Sequence, residues 1–139
     1  MMRGKHVLKT WSTTQPTIAL SSAEAELIAA VRGAAEGLSA LTLCTDFGRE
    51  CRLRVHLDSS AALGIVKRRG VGKIRHLDTR LLWIQERIHA GDLQVAKVAG
   101  TENPADLMTK HLGEEALGSC LARMNCWPRE GRAAIAPQV

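Results

Sequence analysis

Three carboxylates lie far apart in the chain but at positions that a fold would gather. They are Glu26 in "LSSAEAELIAA", Asp58 at the end of "CRLRVHLD" and Asp106 in "GTENPADLM". Clustered carboxylates repel one another unless cations neutralise them, and Mg²⁺ prefers oxygen ligands of this kind. Two such ions about 4 Å apart support in-line attack of water on a phosphodiester. Each acid also has a simpler reading as a helix-start residue, favoured by the helix dipole at a few tenths of a kcal/mol. Ser21 and Glu24 form a capping-box pattern. Glu24 shares a helix face with Leu27, so helical geometry alone does not choose between Glu24 and Glu26. Spacing leaves both readings open.

The elements around these acids can be read from periodicity. β-branched residues over 6–13 predict a strand, with Pro16 as a turn or edge position. Leu27, Val31, Ala34, Leu38 and Leu41 recur at helical spacing, predicting a helix over 22–46 that Phe47-Gly48 closes. Gly33 and Gly37 either weaken that helix or let it lie close against a sheet. Leu53, Val55 and Leu57 alternate with polar residues in a short strand ending at Asp58. A short helix follows over "SSAALGIVKR", capped by Asp58 or Ser59.

A basic, glycine-containing loop comes next, then a helix from His76 to Ala90 and a third strand in "LQVAKVA". Asn103 suits an N-cap, with Pro104 at the first helical position and Asp106 in the first turn. A last helix is expected over 114–124, and residues 129–139 read as a disordered tail. This order makes the chain α/β. In such folds strand ends and helix starts converge on one sheet edge, where sites form. The three acids fall at such places.

Composition narrows the class. The 139 residues suit one domain, and 45% apolar content with only 3% aromatics implies a core of Leu, Val, Ile and Ala. A net charge of +5 fits a polyanionic partner or a solvated basic surface equally. Lys67, Arg68, Arg69, Lys73 and Arg75 form the densest basic run, suited either to tracking phosphates or to a solvated loop. The four cysteines, Cys44, Cys51, Cys120 and Cys126, show no zinc spacing and read as reduced thiols. No uninterrupted apolar run approaches the roughly 18 residues of a membrane span, and the start has no apolar signal region. An intracellular protein, in cytoplasm or nucleus, without a membrane partner is expected. Trp11 and Trp83 are expected in the core. Ser59 and Ser60 read as cap residues, since no His–acid pair is spaced to activate them.

Four stretches, "WSTTQPTIALSSAEAELIAA", "VHLDSSAALGIV", "KIRHLDTRLLWIQERI" and "VAGTENPADLMTKHL", occur in an order that resembles the ribonuclease H domain of copia-type retrotransposon polyproteins. The resemblance covers about residues 5–112. It implies a ribonuclease H-like fold with a mixed sheet and helices packed on it. It also implies hydrolysis of the RNA strand of RNA–DNA hybrids by two Mg²⁺ (or Mn²⁺) ions held by four acids. Carried over residue by residue, it makes Glu26, Asp58 and Asp106 catalytic metal ligands and leaves Glu24 as the cap. It makes His76 a structural partner of Asp78. It further implies a reverse transcriptase portion of the same polyprotein as a partner.

One departure matters. The family's first aspartate lies on a central strand upstream of the "WS" strand, and residues 1–139 contain neither that strand nor the one after it. The expected fold is therefore an incomplete ribonuclease H-like domain over 1–112, followed by a helix and tail over 113–139. This stretch alone is expected to be inactive. The alternatives are a non-catalytic nucleic-acid-binding remnant and a basic structural or adaptor protein.

Overall fold

A computed structural model describes residues 1–72, 78–108 and 111–127. Its longest element is helix α1, Ser22–Asp46, which begins as its first turn dictates. The Ser21 hydroxyl accepts from the Glu24 N–H at 3.2 Å, and Glu24 Oε2 accepts from the Leu20 N–H at 2.7 Å. The carboxylate thus reaches one residue beyond the usual capping-box donor. Leu27, Ala30 and Ala34 line the buried face of α1. Phe47 and Gly48 close it, with Gly48 in the left-handed region at φ +67°.

By length and composition α1 could cross a bilayer, with an 18-residue window of mean hydropathy 1.4. In the structure one face of α1 packs on the rest of the domain, and 22% of that window is buried. Leu27, Ala30 and Ala34 join Leu57, Ile65, Val66, Ile84 and Leu93 in one core. This is the aliphatic core expected from composition.

Two strands form the structural centre. Strand β3, Leu53–Leu57, pairs in parallel with β4, Leu93–Lys97, in the register Leu53↔Leu93 to Leu57↔Lys97. (β1 and β2 are the earlier hairpin strands, Met2–Arg3 and His6–Val7.) Between β3 and β4 run helix α2, Ser60–Lys67, a 3₁₀ turn at Thr79–Leu82 and helix α3, Trp83–Ala90. Ser59 rather than Asp58 caps α2, accepting from the Ala62 N–H at 3.1 Å. Gly91, at φ +83°, ends α3 and allows the chain to turn into β4. A 3₁₀ helix at Pro104–Met108 and helix α4, Glu114–Arg123, complete the described chain.

Three expectations change. The strand expected over 6–13 is only His6–Val7, because its antiparallel partner, Met2–Arg3, is equally short. The described strands form two separate two-stranded sheets, one antiparallel and one parallel, not a single mixed sheet. The helix expected over 76–90 is described only from Thr79, as a 3₁₀ turn leading into α3. Asp78 caps that turn through the Arg80 N–H at 2.9 Å. The proposed His76–Asp78 pairing and the tail at 129–139 fall outside the described residues. Trp83 packs on the core as expected. Trp11 is half-buried beneath the Lys9 ammonium, 5.6 Å from its ring centroid.

Candidate acidic site at the strand ends

The parallel register brings the carboxyl ends of β3 and β4 level with each other. Leu57 faces Lys97, and the Val98 N–H donates to the Leu57 carbonyl at 3.0 Å. Asp58 therefore leaves one strand beside the point where the chain leaves the other. After β4 the chain turns through a short 3₁₀ segment, Gly100–Glu102, and reaches Asn103. Strand ends aligned in this way are where sites form in open parallel sheets.

Asn103 joins the two later acids. Its Nδ2 donates to Asp58 Oδ2 at 3.3 Å, and its backbone carbonyl accepts from the Asp106 N–H at 3.2 Å. Its Oδ1 also accepts from the Ala105 N–H at 3.2 Å. The cap legible in "ENPAD" thus also anchors Asp58, a contact across 45 positions of sequence. Asp58 and Asp106 are both half-buried. Lys97 adds a positive charge: its Nζ donates to the Asp58 carbonyl and, at 2.8 Å, to Ser60 Oγ.

Glu26 is positioned differently. It is exposed on the flank of α1, beside the face that Leu27, Ala30 and Ala34 turn inward. Glu24 is buried with 7% exposure and engaged as the cap, so burial separates the two acids of "EAE". Among the described residues, no group of three or more His, Cys, Asp or Glu side chains is arranged to hold a metal ion. Asp58 and Asp106 share Asn103, but Glu26, Asp58 and Asp106 do not form a ready three-ligand set. Their oxygen donors are of the kind a hard cation takes, and Asp58 and Asp106 are the two that the fold links through Asn103.

The basic run is described in part. Lys67 and Arg69 are exposed, whereas Arg68 folds back, its NH2 group donating to the Val71 carbonyl at 2.5 Å. Lys73 and Arg75 lie outside the described residues. Gln85 holds the loop from below. Buried to 4% exposure, it accepts from the Gly70 N–H at 2.8 Å and donates to the carbonyls of Ile65 at 2.8 Å and Gly70 at 3.2 Å. Sequence reasoning missed this clamp, because a glutamine on an amphipathic helix reads as exposed. It also missed Lys97, whose only signal was its place at the end of an alternating strand.

Two features therefore define the class: a mixed α/β fold and acids at the ends of a parallel strand pair. No protein-family model matches the chain, and no solved structure matches it. The chain is similar to the retrovirus-related Pol polyprotein from transposon TNT 1-94 of Nicotiana tabacum. The two are 34% identical over 101 residues, which cover 71% of this chain and 8% of that polyprotein. The similarity supports a retrotransposon Pol origin.

Proposed function

We propose that this chain is a retroelement-derived ribonuclease H-like domain that engages RNA–DNA hybrids. In this reading Glu26, Asp58 and Asp106 are its divalent-metal ligands, with Mg²⁺ or Mn²⁺ as the ion. The observation that carries the proposal is the joining of Asp58 and Asp106 by Asn103 at the ends of β3 and β4. Similarity to a retrotransposon Pol polyprotein supports the same origin. When bound, the metal would supply charge stabilisation at the phosphodiester. The chain's own residues would prepare the site: Asn103 donates to the Asp58 carboxylate, and Lys97 holds the Asp58 carbonyl and the Ser60 hydroxyl. Lys67 and Arg69, with Lys73 and Arg75, would meet phosphates along the duplex, since backbone contacts supply most non-specific affinity. The reverse transcriptase portion of a Pol polyprotein is the proposed partner.

Residues 1–139 hold three of the four acids that the resemblance implies, so this stretch alone is expected to cleave poorly. A second reading, a non-catalytic nucleic-acid binder, is favoured by the lack of a three-ligand group among the described residues. Binding assays separate the two. The chain should bind a labelled RNA–DNA hybrid more tightly with Mg²⁺ than without it, and Asp58→Asn should remove the Mg²⁺ effect. Equal binding to every duplex, indifferent to Mg²⁺, would instead mean charge-driven binding alone. Robust hybrid cleavage by residues 1–139, abolished by Glu26→Gln, would overturn the expected inactivity.

A further inference from the structure

At the far end of α1 from its capping box, two thiols come together. Three backbone bonds reverse the chain there: the Phe47 N–H donates to the Leu43 carbonyl at 3.2 Å, Gly48 to Thr45 at 2.8 Å and Arg49 to Cys44 at 2.8 Å. Gly48, at φ +67°, makes the reversal possible. The turn sends residues 50–52 back along the last turns of the helix. Cys51 consequently lines a surface depression with Leu41 and Thr45, which flank Cys44 on the same helical face. The Cys44 and Cys51 side chains lie near enough to influence each other's ionisation.

Their setting differs from that of the other two cysteines. Cys44 and Cys51 are partly exposed, whereas Cys120 is buried. The Cys126 thiol is turned to the Met124 carbonyl at 3.5 Å. The contact with Cys51, ahead of burial, holds the Cys44 thiol above its usual range.

We propose that Cys44 and Cys51 form a redox-modifiable pair that a peroxide converts to an intramolecular disulfide. A thiolate of the pair attacks the peroxide O–O bond, forming a sulfenic acid and releasing hydroxide. The other sulfur of the pair then displaces that hydroxyl group. The S–S bond forms as the S–O bond breaks, and the second thiol's proton leaves with the hydroxide as water. The two sulfurs are oxidised and the peroxide is reduced. The bridge would fasten the end of α1 to the segment that enters β3, independently of the acidic site.

The test uses the full chain, folded, with limiting hydrogen peroxide, alkylation of the remaining thiols and tryptic mass mapping. Cleavage at Arg32, Arg49 and Arg52 places Cys44 in the peptide 33–49 and Cys51 in 50–52. The expected result is these two peptides joined, lighter by two hydrogens than their sum, with Cys120 and Cys126 still alkylated. In Cys51→Ser the three remaining thiols should stay free under the same conditions. The proposal fails if Cys44 and Cys51 are both alkylated after peroxide, or if either is joined to Cys120, Cys126 or a second molecule. It also fails if the urea-unfolded chain forms the same link as readily, because proximity in sequence would then suffice.

Discussion

Asn103 and Gln85 show how two amides can organise surfaces that carry opposite charges. Asn103 caps the 3₁₀ turn and reaches Asp58, while Gln85 fills the space under the basic loop with three hydrogen bonds. Replacing Gln85 with Leu would leave the Gly70 N–H and two carbonyls without that partner, at about 1–3 kcal/mol. Urea unfolding should show the loss, and hybrid affinity should fall as the loop loosens. Asn103→Ala should cost about 1 kcal/mol through the lost cap. It should also weaken any Mg²⁺ effect on hybrid binding, whereas Gln85→Leu should leave that effect in place. The cap at Asn103 was legible in "ENPAD", because capping is local chemistry. Its bond to Asp58 was not, because strand register and not local sequence creates it. Glu24 and Glu26 show the same division: the capping role was legible, and the helix packing that leaves Glu26 exposed was only partly so.

Among the elements, α1 was the most legible. Its limits, cap and apolar stripe all follow from one 3.6-residue period. Its two early glycines, indistinguishable in sequence, part company in the structure. A Cβ at Gly37 would meet Leu53 Cδ1 at 2.6 Å, whereas a Cβ at Gly33 would meet nothing within 4 Å. Gly33→Ala should therefore stabilise the protein by about 0.5–1 kcal/mol through backbone entropy and helix propensity. Gly37→Ala gains the same propensity but crowds the α1–β3 contact, a strain of about 1–3 kcal/mol. A thermal melt should rise for the first variant and fall for the second. The strand expected over 6–13 failed for a physical reason: a strand needs a partner, and sequence does not show how short that partner is. The same dependence hid the split into two sheets.

For the whole molecule, surface charge makes stability depend on acid. Hydrogen bonding to Arg80 holds the Asp78 carboxyl below its usual range, and Lys9 does the same for Glu36. A carboxylate depressed by folding stabilises the native state above its unfolded pKa, and that contribution fades as pH falls through the folded value. Stability should thus decline below the ordinary carboxylate range. Both groups are partly exposed to solvent, so the decline should be smaller at high salt, where such pairs are screened. Glu36→Gln and Asp78→Asn together should flatten the low-pH limb of a denaturation series.

The central claim, that the acids at the ends of β3 and β4 form a divalent-cation site, is tested most directly by calorimetric titration of Mn²⁺ into the chain and its Asp58→Asn variant. Weak binding is expected, tighter for Mn²⁺ than for Mg²⁺, and reduced about tenfold or more by the substitution. No binding to the native chain, or binding unchanged in Asp58→Asn, would contradict the account.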